Sequence, residues 1–307
     1  MVSDSDKKVF LVINTSYFGD VLLCNPLCQN IKNIYPNSKI VFVVDKPFVD
    51  AASFQKDVDE VVVYDKRGLH KGIWGFIKFI RDFKYRGAFA SFVTYRNCRN
   101  VILSIFVGAK HICAAKKVKE NIPVWRQHVE LLSVITNSEL KNYPMVYNSK
   151  IEIPERIKNV LSSEKKYIAL CTTTKNPKKD IPLDISTELI EKLNNDGFEV
   201  ILTGAGKAAE EYSQALLARK SKFIDLVNKT SIYELGCVLK LSKLLVSADT
   251  GTMHMGCACQ VPTVAIFYDK NKVSYWAPDS NIYNSVVISE NQTAENIYNS
   301  VRGLIYG

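Results

Sequence analysis

Apolar strands alternate with helical patterns along nearly the whole chain, and this alternation limits the fold more than any other feature. In the first half the strands are "VFLVIN", "KIVFVV", "EVVVYD" and "AFASFVTY". Helical periodicity lies between them in "CNPLCQNIKNIY" and "GIWGFIKFIRDFKY". Strands that are separated by helices form parallel sheets covered by those helices. The first half is therefore predicted to be a Rossmann-like α/β domain.

A second alternating series follows a looser polar stretch around residues 141–166, which Pro144 and Pro154 flank. Its strands are "YIALC", "FEVILTG", "FIDLV", "KLLVSAD" and "VPTVAIF", and the helix "TAENIYNSVRGLIY" closes the chain. We expect two Rossmann-like domains, residues 1–152 and 153–307, with the last helix either in the second domain or packed back on the first. The crevice at the carboxyl ends of the strands is the expected ligand site.

Composition limits the class of protein. The chain has 307 residues, of which 47% are hydrophobic and 23% charged, as in a soluble globular protein. No apolar run approaches the roughly 20 residues of a spanning helix. No apolar stretch precedes the first strand, so we expect no secretory signal. The eight cysteines include no C-x-x-C pair, which indicates a reduced, cytoplasmic chain.

The net charge of +9 is concentrated in the first half. Residues 1–150 contain 22 Lys and Arg against 13 Asp and Glu, whereas residues 151–307 contain 18 of each kind. Residues 66–126 alone hold 14 basic and 2 acidic residues. This asymmetry indicates an anionic partner, which could be a phosphorylated substrate, a membrane surface or nucleic acid, unless it is only a solvated basic face. No known nucleic-acid-binding motif supports the third partner.

The most informative stretch is "LLVSADTGTMHMGCACQVPTVAIF". A buried strand leads through Asp249 to a helix start at Thr250, Gly251 and Thr252, whose amides are expected to be free and to face outward. With the helix dipole behind them, such amides form a diphosphate site. His254 in the first turn is placed to donate to a phosphate oxygen. The alternative is an ordinary capped helix.

Three other kinds of site are excluded. His254, Cys257 and Cys259 do not share one helical face, so we expect no metal site. The stretch "LTGAGKAAE" lacks the first glycine of a Walker A loop and has Ala208 where Ser or Thr is needed. The first turn, "VINTSYFGDV", contains only Gly19, so it is not a dinucleotide loop, and a nicotinamide oxidoreductase is not indicated. A helical pattern is predicted to begin after this turn, near Val21.

Taken together, the motifs resemble glycosyltransferase family 9, the ADP-heptose:lipopolysaccharide heptosyltransferases, over nearly the whole chain. The family's Asp-Thr-Gly-x-x-His motif and its Pro-x-Val-Ala-Ile-Phe strand are both present. Its Gly-Asp turn and Tyr-Pro pair correspond to residues 19–20 and 35–36. In "CTTTKNPKKDIP" Lys179 and Pro182 match the family, but Ile181 stands where a tryptophan is usual. "DLVNKTSIYEL" resembles the family's Lys-x-Ser turn.

The resemblance implies a GT-B fold and an inverting, metal-independent transfer without a cofactor, with the ADP-sugar as substrate. It assigns the catalytic base to Asp20, which takes the proton of the attacking acceptor hydroxyl. An aspartate with an ordinary pKa of about 3.9 is ionised at neutral pH and ready for this role. The alternative is that Asp20 only caps the following helix.

The resemblance also implies a set of donor-binding residues. Lys179, or its neighbour Lys178, would neutralise the diphosphate, Glu210 would bind the ribose and Thr230 would lie beside the adenine. Asp249 would orient the loop or touch the sugar. The complete donor set is Thr173, Thr174, Lys179, Glu210, Thr230, Asp249, Thr250, Gly251, Thr252 and His254.

The acceptor implied by the resemblance is an anionic, lipid-linked saccharide at the inner face of the inner membrane, with Gly19, Arg96 and Arg99 as contacts. The helix over residues 73–84 is predicted to place Trp74, Ile77, Ile80 and Phe83 on one face. That face either rests on a membrane surface, making the protein peripheral there, or packs on its own sheet. Another nucleotide sugar or another surface-glycan acceptor stays an alternative, and nucleic acid is not an expected partner.

Overall fold

The computed structural model describes residues 7–116, 121–147, 152–162 and 164–307. The chain divides into two compact units, Met1–Met145 and Val146–Gly307, which we call the N-terminal and C-terminal units. Part of the predicted boundary stretch, residues 148–151 and 163, lies outside the described residues. Both units are built on a parallel sheet with helices, as the alternation of strands and helices predicts.

The described residues of the N-terminal unit form a five-stranded parallel sheet in the order β3-β2-β1-β4-β5. Its strands are β1 (Val9–Asn14), β2 (Lys39–Asp45), β3 (Glu60–Tyr64), β4 (Ala90–Val93) and β5 (His111–Ala114). Its helices are α1 (Phe18–Leu22), α2 (Asn25–Ile34), α3 (Val49–Ser53), α4 (Gly72–Asp82), α5 (Cys98–Phe106) and α6 (Val124–Glu130).

The strand order of this sheet reverses at β1. β1 pairs with β2 on one side, with Val9 opposite Lys39, and with β4 on the other, with Phe10 opposite Ala90. β1 and β2 are buried almost throughout, as their continuous apolar sequences require. The loop after β1 therefore lies at the topological switch point, where α/β sheets bind their ligands.

The sequence analysis was wrong or incomplete at several elements of this unit. A helix was expected to begin near Val21, but α1 already begins at Phe18 and a second helix starts at Asn25. The short strand β5 and the helices α5 and α6 were not predicted. β5 begins with His111 and is exposed at its first two residues, so it lacks the buried apolar run that marks β4, a strand of the same length.

The described residues of the C-terminal unit form a six-stranded parallel sheet in the order β11-β10-β9-β6-β7-β8. Its strands are β6 (Tyr167–Cys171), β7 (Glu199–Leu202), β8 (Ile224–Asp225), β9 (Ser242–Ala248), β10 (Thr263–Ile266) and β11 (Ser285–Ile288). Its helices are α7 (Glu155–Lys158), α8 (Leu183–Asn195), α9 (Lys207–Ala218), α10 (Ile232–Leu241), α11 (Gly251–Ala258), α12 (Val273–Trp276) and α13 (Ala294–Tyr306).

The order of this sheet reverses between β6 and β9, so the loops after these two strands flank its switch point. Helix α11, which follows β9, lies very close to the sheet. A Cβ atom added at Gly256 would be 2.5 Å from Leu245 Cδ2 and 2.9 Å from Thr263 Oγ1. Gly256 thus lets the second turn of α11 lie directly against β9 and β10.

Two further properties bear on function. Among the eight cysteines Cys98 is exposed and the other seven are buried. In the described part of the chain, no helix has both the length and the apolar character that crossing a bilayer requires.

Candidate functional site

Asp20 lies in the first turn of α1, not in an irregular turn as the sequence suggested. Its Oδ2 accepts a hydrogen bond of 2.7 Å from the Ser16 hydroxyl and one of 3.3 Å from the Tyr17 backbone amide. Tyr17 is the N-cap residue, so the carboxylate satisfies an amide that the helix itself cannot. Asp20 therefore caps the helix in which it lies, α1, by accepting from the amide of the N-cap residue. This contact holds the carboxylate at the carboxyl edge of the sheet.

A buried network of hydrogen bonds fixes the backbone of this turn. Asn14, the last residue of β1, donates through Nδ2 to the Asp20 carbonyl oxygen at 3.3 Å and to Thr94 Oγ1 at 3.1 Å. Asn14 Oδ1 accepts from the Ser16 amide at 3.0 Å. The Cys24 thiol also donates to the Asp20 carbonyl, at 3.3 Å. The backbone around Asp20 is thus fixed to both β1 and β4.

His128 on α6 completes this network and is neutral. Its Nδ1 is 3.2 Å from the Leu23 carbonyl oxygen, and because a carbonyl only accepts, Nδ1 carries the proton. Burial lowers the pKa of His128 to about 4, with the Leu23 contact opposing the shift. Burial also raises the pKa of the Cys24 thiol to about 12. Neither side chain brings a charge close to Asp20 at neutral pH.

The expected acceptor contacts differ in their surroundings. Gly19 is buried inside α1. Arg96 is exposed just after β4. Arg99 in α5 donates to the Tyr64 hydroxyl at 3.1 Å and lies over the Phe76 ring, 5.8 Å from its centroid. Both arginines follow the carboxyl end of β4, as predicted, but Arg99 is already partly engaged by its own unit.

The predicted apolar face of α4 is wrong in its composition. Ile80 and Phe83 are buried in the core of the unit, together with Phe76 and Phe79, whereas Trp74 and Ile77 are exposed. The helix therefore packs on its own sheet through one side and keeps apolar residues on another.

In the C-terminal unit, Lys179 and Asp249 form an ion pair of 2.6 Å across the switch point. Lys179 ends a short 3-10 turn after β6, whose N-cap residue Asn176 accepts from the Lys178 amide. Asp180 Oδ1 accepts from the Thr174 amide at 2.7 Å and so closes the same loop. Lys178 is exposed. Of the two candidate lysines, Lys179 is the one that the structure places beside the Asp-Thr-Gly loop.

The N-terminus of α11 is capped by a side chain. Thr250 Oγ1 accepts from the Thr252 amide at 3.2 Å, so the expectation of three free amides is wrong at Thr252. Ser247 Oγ lies 3.3 Å and Cys171 Sγ 3.8 Å from the same Thr250 oxygen, which fixes its position. The sequence pattern could not distinguish a self-capped start from an open one, because threonine serves both.

His254 is buried in α11, four residues after the Thr250 cap. Burial lowers its pKa to about 4, and the nearby Asp249 charge opposes this shift only in part. The imidazole is therefore neutral at neutral pH. It retains one N–H as a hydrogen-bond donor, but it supplies no positive charge.

The remaining donor candidates lie on loops that are tied to one another. Thr173 is buried beside Gly204, where an added Cβ would be 3.5 Å from Thr173 Oγ1. The Gly206 amide before α9 donates to Asn228 Oδ1 at 2.6 Å, which links the loop before Glu210 to the loop that contains Thr230. Glu210 is exposed in the first turn of α9 and Thr230 is half-buried. The Thr174 hydroxyl donates to the Asn176 carbonyl.

The Lys179–Asp249 pair thus joins the loops after β6 and β9, and the Gly206–Asn228 hydrogen bond joins the loops after β7 and β8. Together these loops present an ammonium group, hydroxyls and a helix N-terminus, which is the chemistry that binds a nucleoside diphosphate. Sequence reasoning missed Ser16, Asn14 and Asn228 as supporting residues. An acidic residue is common in a first helical turn, but the N-cap position of α1 holds Tyr17, which is not one of the residues that mark a helix start. The Gly206–Asn228 contact joins residues too far apart in sequence to leave a local signal.

Comparison with known proteins decides the family. The model described as glycosyltransferase family 9 (heptosyltransferase) matches residues 107–303. The chain belongs to glycosyltransferase family 9. This family 9 protein is 25% identical over 280 residues to lipooligosaccharide heptosyltransferase 2 of Campylobacter jejuni, with 85% of this chain and 80% of the relative covered.

Solved structures agree on the fold. A glycosyl transferase family 9 structure from Veillonella parvula superimposes with a TM-score of 0.83 at 18% identity and covers 97% of both chains. The structure of E. coli heptosyltransferase WaaC with ADP gives a TM-score of 0.73 at 19% identity, over 96% of this chain and 99% of that one. The family 9 protein is a glycosyltransferase with the GT-B fold, as the resemblance implied.

Proposed function

We propose that the protein transfers a heptose from ADP-heptose to a lipopolysaccharide or lipooligosaccharide core acceptor in the cytoplasm, with inversion at the anomeric carbon and without a metal. The curated relative is named as a lipooligosaccharide heptosyltransferase, and the WaaC structures are described with ADP and with an ADP-heptose analogue. The observation that carries the proposal is the Lys179–Asp249 pair beside the capped start of α11.

On the donor side, the Lys179 ammonium would contact the diphosphate and stabilise the charge that develops as ADP leaves. The Gly251 amide and the neutral His254 would add donors. Asp249 would hold the lysine at the loop until the diphosphate arrives. Glu210 would accept from the ribose hydroxyls, and Thr173, Thr174, Thr230, Thr250 and Thr252 would complete the walls of the nucleotide site.

On the acceptor side, Asp20 would act as the base. The acceptor oxygen attacks the anomeric carbon, its proton passes to an Asp20 carboxylate oxygen, and the bond between that carbon and the diphosphate oxygen breaks. The electron pair leaves with ADP, and attack from the opposite face inverts the configuration. Gly19 would allow the acceptor to approach the turn, and Arg96 and Arg99 would contact its anionic groups.

A second candidate is transfer of a sugar from a different nucleotide. It is suggested by the sequence, in which Ile181 stands where the family's tryptophan is usual. The burial of this side chain in the core of the C-terminal unit makes the difference one of packing beside the donor loop. This alternative keeps the fold, the base and the lysine, and changes only the donor.

A melting-temperature panel with ADP, UDP, GDP and CMP tests the donor. A nucleotide at about 100 times its Kd stabilises the folded protein by about 2.7 kcal/mol through mass action. We expect ADP to raise the melting temperature most. A preference for UDP would contradict the heptosyl proposal and support the alternative.

Turnover of ADP-heptose with a heptose-deficient lipooligosaccharide tests the reaction itself. We expect a product of inverted configuration and the same rate in the presence of EDTA. If ADP stabilises the protein but no heptose is transferred, the proposed nucleotide stands and the proposed sugar or acceptor is wrong.

A further inference from the structure

Helix α4 has apolar residues on two sides, and only one of these sides packs in the core of the N-terminal unit. Phe76, Phe79 and Ile80 pack into the sheet. On the other side Ile73 and Trp74 are 68% and 79% exposed, and Ile77 is also exposed. Leaving a tryptophan this exposed costs free energy, because an aromatic ring of this size gains stability in proportion to the apolar area that is removed from water.

Helix α5 adds to the same side of the sheet. Leu103 of α5 belongs to the core cluster that also contains Phe76 and Phe79 of α4. The Arg86 guanidinium joins the ends of both helices, since it donates to the carbonyl oxygens of Ile80 and Phe106. Phe106 is itself 61% exposed. We call the exposed side chains of Leu69, Ile73, Trp74, Ile77, Ile105 and Phe106 the α4–α5 face.

Basic residues surround this face. Arg67 and Lys71 are exposed just before α4, and Lys78 and Arg81 are exposed on it. Asp82 is 3.8 Å from Lys78 and 3.1 Å from Arg81 and offsets part of their charge. Across residues 66–126 the sequence still has 14 basic and 2 acidic residues. The face therefore combines apolar side chains, an exposed tryptophan and a positive border.

Its position relates it to Asp20. Helix α4 follows β3, so its first turn lies at the carboxyl edge of the parallel sheet, where β1 delivers Asp20. Ile73 and Trp74 are in that first turn. A surface that contacts them lies on the side of the unit from which a lipid-linked acceptor would approach the proposed base.

We propose that the α4–α5 face docks on an anionic lipid surface, with Trp74 at the headgroup level and the basic border against lipid phosphates. This combination of an apolar face, a tryptophan and flanking lysines is that of interfacial helices. A second copy of the chain fits less well, because a two-fold interface would set the basic border against itself. The lipid surface is inferred from the N-terminal unit alone; its link to the acceptor rests on the proposed function.

Vesicle sedimentation with the full chain tests the surface. We expect binding to vesicles of phosphatidylethanolamine with about one third phosphatidylglycerol, a composition that supplies the anionic surface. The double variant Ile73→Ser/Trp74→Ser should weaken that binding by about tenfold or more, because two apolar side chains are lost. The matched control, Val134→Ser/Leu217→Ser, removes two exposed apolar residues elsewhere and should bind as the unmodified protein does.

A double variant that removes two positive charges separates the electrostatic contribution to binding from the apolar one. Arg67→Gln/Lys71→Gln should reduce binding by about fivefold per charge at low salt, whereas Lys222→Gln/Lys243→Gln in the C-terminal unit should not. Equal binding by the unmodified protein and Ile73→Ser/Trp74→Ser would overturn the proposal. So would a concentration-dependent dimer that this variant abolishes, because the face would then join two copies.

The ADP-dependent rise in melting temperature is measured on every variant and should be unchanged. If ADP does not bind but the vesicle results hold, the donor proposal fails and the docking surface stands. If ADP binds but vesicles do not, the docking surface is overturned and the donor proposal stands.

Discussion

Each unit of the protein places an aspartate after a central strand of its sheet, but the two carboxylates are held in different ways. Asp20 follows β1 and is held by residues three and four positions before it, the Tyr17 amide and the Ser16 hydroxyl. Asp249 follows β9 and is held by Lys179, 70 positions away. The first contact is encoded locally, and the second exists only when β6 and β9 have paired. Asn at position 20 would keep an oxygen for the local contact, whereas removing the Lys179 ammonium abolishes the ion pair with Asp249.

The largest expected effect comes from Asp20→Asn. Asparagine keeps an oxygen for Ser16 and Tyr17 and caps helices as well as aspartate, so the melting temperature and ADP affinity should change little. Turnover should fall by roughly 10²–10⁴, because the base is lost. All three are measured on one preparation. Asp50→Asn, in the first turn of α3, is the control and should retain activity. Full turnover in Asp20→Asn would make Asp20 a structural cap only.

The two buried histidines give each unit the same response to pH. The pKa values of His128 and His254 fall from 6.5 to about 4 in the folded state. Below pH 6.5 the unfolded chain binds protons that the folded chain excludes, so stability present above pH 6.5 is lost as the pH falls towards 4. The loss is on the order of 3 kcal/mol for each histidine.

Melting temperatures between neutral pH and pH 4 check this. His128→Gln and His254→Gln should each reduce the fall in melting temperature between neutral pH and pH 4. His111→Gln, at an exposed position, should leave this fall unchanged. If only one of the two substitutions reduces it, acid sensitivity belongs to one unit, and the symmetry between them fails.

Lys179→Ala should weaken ADP binding by roughly 10–150-fold, since a charge-assisted hydrogen bond contributes about 1.5–3 kcal/mol. Calorimetric titration with ADP measures the change. The neighbouring Lys178→Ala is the control, and ADP affinity should be nearly unaffected there, because this side chain is exposed whereas Lys179 is the lysine that pairs with Asp249. A greater loss at Lys178 would assign the phosphate contact to that lysine.

The smallest effect tests whether packing positions the Asp249 loop. Gly256→Ala should lower the free energy of unfolding by about 1–3 kcal/mol, because the new methyl group has no room between Leu245 and Thr263. In α13 a Cβ at Gly303 meets no atom within 4 Å, so Gly303→Ala should stabilise by about 0.5–1 kcal/mol. Denaturant unfolding measures both. A neutral Gly256→Ala would show that α11 has freedom to shift.

The sequence predicted most of the architecture, because buried parallel strands and amphipathic helices leave strong periodic patterns. It located β1, β2, β6 and β9 and the helix that starts at Gly251. It missed β5 and β11, which are not buried throughout, and placed the start of α1 too late. The apolar face of α4 was predicted wrongly, because this helix has apolar residues on two sides and its sequence does not show which side is buried.

The candidate site was predicted as a set of residues but not as a network. Lys179, Asp249 and Thr250 were named from motifs, and the structure joins them. The cap that occupies the Thr252 amide, the Gly206–Asn228 link and the neutral state of His254 depend on distances and burial that a linear sequence does not contain. Asp20 shows the same limit for a local contact, because Tyr17 at the N-cap position is not one of the residues that mark a helix start.

The uneven exposure of the thiols offers a means of observing the enzyme at work. Cys98 opens α5 between Arg96 and Arg99, and the other seven cysteines are buried. A maleimide dye or spin label should therefore attach at this one position in the unmodified chain. A reporter placed there would register the arrival of an anionic saccharide or a bilayer as a change in fluorescence or mobility, without any cysteine having to be removed first.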